Sequence, residues 1–119
     1  MRVVLDTNVL WIDEEFELAA STQILDEYRT VADRIGKWFP GVEVRPVLDR
    51  VDLHALLAVP VRLPDDACTD RDDIKFLECA VGCRADSVVS GDRALLRSSG
   101  YEGIEVLTPR RFIERLLSR

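Results

Sequence analysis

Two spacings of apolar residues divide this chain. Short unbroken runs recur at Val3-Val4-Leu5, ahead of Asp6, and at Ser87-Val88-Val89-Ser90, ahead of Gly91-Asp92, with a further run from 103 to Leu107. Runs of this length, apolar on both faces and bounded by turn formers, predict strands buried on both sides, as in a parallel sheet. Residues 16–20 form a shorter candidate. Between the runs the spacing becomes helical. Ile24, Tyr28, Val31 and Ile35 predict a helix over 22–35, with Ser21 as its N-cap. Residues 36–44 carry turn signals, a second helix is expected over 47–58, and Pro60 and Pro64 bound the loop after it. The acid-rich stretch from Asp65 to Asp73 leads into a helix with an apolar face of Phe76, Leu77, Ala80 and Val81. Helices over 93–97 and 109–117 complete the pattern, the latter with Pro109 at its first position. Strands alternating with helices predict an α/β fold with a central, mainly parallel β-sheet flanked by α-helices.

Composition narrows the class. With 119 residues, 47% hydrophobic and 7% aromatic, the chain fits one domain spanning 1–119 and is too apolar to be disordered. Asp6 and Asn8 interrupt the first apolar run, so it does not read as a signal peptide, and no segment is long enough to span a membrane. A cytoplasmic location is expected. Cys68, Cys79 and Cys83 are odd in number, and two fall four apart on one helix, which suits reduced thiols. His54 is the lone histidine, leaving little for a zinc site or a histidine relay.

The net charge of −6 argues against a nucleic-acid partner unless several acids gather around divalent cations, which would cancel their charge locally. Arg111, Arg115 and Arg119, beside Arg110, repeat every four residues near the C-terminus and read first as a solvated helix face.

The acids therefore need sorting by position. Asp6 and Asp92 each follow a buried strand, where ligands of open α/β sheets collect. On helix 22–35, Glu27 borders the apolar stripe, while Asp26 lies with the polar residues. On the later helix Asp73 precedes Phe76, Leu77 and Ala80 by helical spacings and faces inward, whereas Asp72 aligns with Lys75 and Cys79. Each of the four has a structural explanation alone: a turn for Asp6 or Asp92, a helix N-terminus for Asp73, a buried arginine partner for Glu27. Together they favour a shared cation, and an oxygen-rich set suits Mg²⁺ or Mn²⁺.

The segments carrying these acids resemble the PIN-domain nucleases, and in particular the PIN-type, VapC-like toxins of prokaryotic toxin–antitoxin modules. The resemblance rests on Val3-Val4-Leu5-Asp6-Thr7-Asn8-Val9-Leu10, on Ser21 with Ile24-Leu25-Asp26-Glu27-Tyr28, on Asp70-Arg71-Asp72-Asp73-Ile74-Lys75-Phe76-Leu77, and on Ala85 through Ser90-Gly91-Asp92-Arg93-Ala94-Leu95-Leu96. It implies a single PIN-like domain whose acidic quartet falls on Asp6, Glu27, Asp73 and Asp92, as catalytic and metal-binding residues. Thr7, Asn8, Asp70, Asp72 and Ser90 are implied auxiliaries. The implied activity is Mg²⁺- or Mn²⁺-dependent hydrolysis of RNA phosphodiester bonds, leaving 5′-phosphate and 3′-hydroxyl ends. An antitoxin protein is the implied partner, and a homodimer is allowed.

Two departures from the family pattern stand out. Only 11–15 separate Leu10 from Phe16, where relatives carry a helix and a loop, and Ala94 stands where relatives often place another acid. Both leave room for a degenerate PIN domain that binds RNA or protein without cutting. A second alternative takes Asp6 as the nucleophile of a haloacid-dehalogenase-like phosphatase, although Asn8 stands where such enzymes usually place a second aspartate.

Overall fold

The computed structural model describes residues 1–9 and 15–118; the shortened connection after Leu10, and Arg119 of the basic C-terminal series, fall outside the described residues. Five parallel strands, β1 (Arg2–Leu5), β2 (Glu17–Ala20), β3 (Leu56–Leu57), β4 (Ser87–Val89) and β5 (Glu105–Leu107), lie in the order β3-β2-β1-β4-β5. Helices α1 (Thr22–Trp38), α2 (Arg45–His54), α3 (Ile74–Cys83), α4 (Arg93–Arg97) and α5 (Pro109–Leu117) alternate with them.

The sheet is arranged as its sequence demands. Val3, Val4 and Leu5 have no exposed surface, because β1 is central and its residues meet neighbours on both faces. It pairs with β2 through Arg2–Glu17 and Val3–Leu18, and with β4 through Val3–Ser87, Val4–Val88 and Leu5–Val89. Successive strands step outward from β1 on one side as β2 and β3, then resume on the other as β4 and β5. The order reverses between β1 and β4, and the crevice outside the carboxyl ends of strands at such a point is the usual ligand position. Across the sheet, α3 packs on β1, β2 and β4, and its Phe76, Leu77 and Ala80 are buried. Phe112 of α5 meets Phe16 edge-on, ring centres 5.2 Å apart.

Several boundaries differ from the periodicity. Helix α1 runs three residues past Ile35, because Gly36 sits in open space and its break signal is overridden by the continuing helical ladder. Helix α2 starts earlier, at Arg45 with Pro46 in its first turn, and ends at His54 rather than 58. The residues after it form β3, anchored where the Ala58 N–H donates to the Ala20 carbonyl at 2.9 Å; sheet pairing wins there over a helical apolar spacing. The last strand is shorter than the run suggests, since Tyr101–Gly103 form a 3₁₀ turn ahead of it.

Tyr28 ties α1 to the sheet. Its hydroxyl, on a side chain only 2% exposed, donates to the Leu5 carbonyl at 2.5 Å, and burial pushes its pKa far up. Tyr28→Phe would leave that buried carbonyl short of a partner, so a loss of about 1–2 kcal/mol is expected in urea unfolding.

Candidate functional site

Three lengths of chain converge beyond the carboxyl ends of β1 and β4. The first is Asp6, whose N–H donates to the Val89 carbonyl at 2.9 Å, carrying the β1–β4 ladder one step past Leu5. The second holds Ser90 and Asp92. Buried Ser90 donates its hydroxyl proton to Asp6 Oδ2 at 2.7 Å, and its oxygen accepts the Asp92 N–H at 2.9 Å. Asp92 then caps α4: its Oδ1 accepts the N–H groups of Ala94 and Leu95 at 2.8 and 3.3 Å. The third is the acid-rich turn before α3. Asp70 Oδ1 accepts the Asp72 N–H at 3.0 Å, folding Arg71–Asp73 into a 3₁₀ turn that feeds directly into the helix.

That turn brings carboxylates together. Asp70, Asp73 and Asp92 each offer an oxygen within 4.8 Å of the others, the one such group among the described residues. Asp73 stands in the middle. Burial, and then the negative charges of Asp92, Asp70 and Asp6, push its pKa up to about 7. Its Oδ2 is buried with no hydrogen-bond partner. An orphaned oxygen among like charges is a deficit that a divalent cation corrects, and a set of carboxylates with no thiol or imidazole among them suits a hard one.

The predicted residues divide accordingly. Asp73 and Asp92 lie in the cluster, and Asp70, taken from the sequence as an auxiliary, lies there with them. Asp6 stands beside it, close enough to raise the Asp73 pKa and joined to Asp92 through Ser90. Glu27 lies outside the three-carboxylate group. One of its oxygens accepts the Thr7 hydroxyl and the other accepts the Lys75 ammonium at 2.7 Å. Thr7 therefore supports Glu27, while Asn8 and Asp72 are exposed. The carbonyl of Asp72, not its carboxylate, takes part by accepting from Lys75.

Sequence reasoning missed Lys75, which it grouped with the polar side of the helix. A signal was present: an inward-facing acid such as Glu27 requires a counter-charge, and Lys75 follows Asp73 by two residues in the first turn of α3. Elsewhere the bases are spread on the surface, Arg115 on Glu105 at 2.6 Å and Arg110 on Glu114 at 3.4 Å. The three cysteines are free thiols, and burial pushes Cys79 up to about 12. His54 is exposed at the end of α2. No helix is long and apolar enough to cross a membrane among the described residues.

A family model described as PIN domain matches residues 9–94 of the chain. The match spans Glu27, the Asp70–Asp73 turn and Asp92, and starts just after Asp6. None of the curated proteins searched matches the chain significantly.

Proposed function

Because the chain belongs to the PIN-domain family, whose members are generally metal-dependent nucleases, we propose that it is an endoribonuclease using Mg²⁺ or Mn²⁺, and the toxin of a toxin–antitoxin pair. The observation that carries the catalytic part is the convergence of Asp70, Asp73 and Asp92, with an unpartnered Asp73 oxygen, at the reversal point of the sheet. The toxin part, and with it an antitoxin partner and a cytoplasmic location, rests on the resemblance of the four acid-bearing segments to the toxin branch of the family.

Asp73 and Asp92 would hold the cation, with Asp70 and Asp6 completing its oxygen surroundings. A divalent ion held there would supply Lewis-acid activation of the attacking water and offset charge on the phosphodiester in the transition state. The chain's own groups do the positioning. Ser90 fixes one oxygen of Asp6 and the backbone of Asp92 with a single hydroxyl. The α4 cap holds Asp92 in place through two backbone N–H groups on its Oδ1. One of these carboxylates serves as proton acceptor for the attacking water.

The test is incubation of the purified chain with mixed single-stranded RNA in Mg²⁺, Mn²⁺ or chelator. Metal-dependent fragments ending in 5′-phosphate are expected. Cleavage that persists in chelator rejects the metal mechanism; no cleavage despite measurable Mn²⁺ binding assigns the chain to the degenerate class. Growth arrest on induction in a bacterial host is the expected sign of the toxin role, and unimpaired growth rejects it.

A further inference from the structure

Lys75 is an unusual cation. Its side chain is only 11% exposed, and it lies in the first turn of α3, at the end of the helix where the dipole disfavours positive charge. An ammonium is tolerated there only because acceptors surround it: Glu27 Oε1 at 2.7 Å, the Asp72 carbonyl, and the face of Phe76 with its centre 5.0 Å away. Glu27 is correspondingly committed, one oxygen to Lys75 and the other to Thr7. The group of oxygens suited to a metal forms without it.

We propose that Lys75 is a built-in second cation of this site and that Glu27 is its counter-ion rather than a metal ligand. The chain then holds one divalent ion at Asp73 and Asp92, and Lys75 Nζ, an N–H donor two residues after Asp73 in the first turn of α3, donates to a phosphoryl oxygen of the bound RNA. Glu27 and Thr7 are positioning residues acting through Lys75. Lysine suits the task as a compact charge with three rotatable donors, two of which its protein acceptors already use. The inference rests on the nuclease reading for the role of Lys75 toward RNA, but its metal count stands apart from that reading.

The experiment counts Mn²⁺ on the full chain by electron paramagnetic resonance titration without RNA, in parallel with cleavage assays. Wild type is expected to bind one Mn²⁺. Glu27→Gln should bind it with affinity within about threefold of wild type, whereas Asp73→Asn should weaken it at least about tenfold. Lys75→Met frees Glu27 and is expected to gain a second, weak Mn²⁺. Its cleavage should fall on the order of a hundredfold at low Mn²⁺ and recover at high Mn²⁺, with Lys75→Arg in between. Two Mn²⁺ ions on wild type, an Mn²⁺ loss in Glu27→Gln equal to that in Asp73→Asn, or a Lys75→Met variant that stays at one ion overturns the proposal. Failure of the nuclease reading looks different: wild type does not cleave, while the Mn²⁺ counts still follow or contradict the expected pattern.

Discussion

Asp73→Asn is expected to remove RNA cleavage, by about 10²–10³-fold or more, while making the metal-free protein more stable at pH 8. The two effects share one cause. Burial and three neighbouring acids raise the Asp73 pKa from 3.8 to about 7. Between those values the folded chain binds more protons than the unfolded one, so wild-type stability falls as pH rises from about 4 to about 7 and stays low above that. Below pH 4 the carboxyl is neutral in both states and the penalty is absent. Asparagine carries no charge at any pH, so the variant escapes the penalty; after allowance for solvent screening, a gain of about 1 kcal/mol at pH 8 is expected, fading by pH 4. Mg²⁺ should raise the melting temperature of wild type at pH 8 and leave the variant's nearly unchanged. Urea unfolding at pH 4 and pH 8 with chelator, and thermal melts with and without Mg²⁺, check each part. A variant less stable than wild type at pH 8 would remove like-charge crowding as the organising feature of the site.

The largest structural effect is expected at Gly82. A methyl group there would lie 2.0 Å from the Val59 carbonyl oxygen and 3.0 Å from Pro60 Cα, both backbone atoms with no side-chain freedom to yield. The loop before the acid-rich turn lies against α3 here. The Val61 N–H donates to the Glu78 carbonyl at 3.0 Å, and the Leu63 N–H donates to Glu78 Oε2 at 2.9 Å. Gly82→Ala must separate loop from helix and strain both bonds, so a loss of about 3 kcal/mol is expected as a lower urea midpoint with unchanged slope. Gly36 provides the contrast. It is also helical but faces open space, so Gly36→Ala should be stabilising by roughly 0.5–1 kcal/mol. Equal effects at the two positions would mean that helix propensity, and not the close approach of the loop, decides the cost at Gly82.

Much of this architecture was legible from spacing. Parallel strands buried on both faces must be apolar throughout, so β1 and β4 announced themselves, and each was followed by the aspartate that its carboxyl end presents. Ser21 marked the start of α1 and does accept the Ile24 N–H, at 3.3 Å. Strand β3 escaped because it has only two residues at the sheet edge, and Leu48, Val51 and Ala55 before it hold a helical rhythm that nothing local interrupts. The site was legible as a set of inward acids but not as a geometry. Asp70 ranked below Asp73 because a 3₁₀ turn, not the helix whose period was being read, places the two together. Glu27 was recognised as an inward-facing acid requiring a partner; that a lysine two residues beyond Asp73 stands against it depends on how α1 and α3 lie against each other, which no single-helix periodicity contains.

The hydrogen bond from Ser90 to Asp6 spans 84 positions of a 119-residue chain. β1 and Asp6 are made long before β4, Ser90 and Asp92, which complete the crevice side of β1 and leave the ribosome only when most of the domain has been synthesised. Contacts this distant in sequence form late, after the intervening loop entropy has been overcome. A growing chain therefore carries Asp6 on a strand that lacks its β4 neighbour, with no carboxylate cluster and no assembled crevice, until residue 92 is available to fold. If the proposed ribonuclease activity holds, this delay keeps the nascent chain inert beside the messenger and ribosome that are making it.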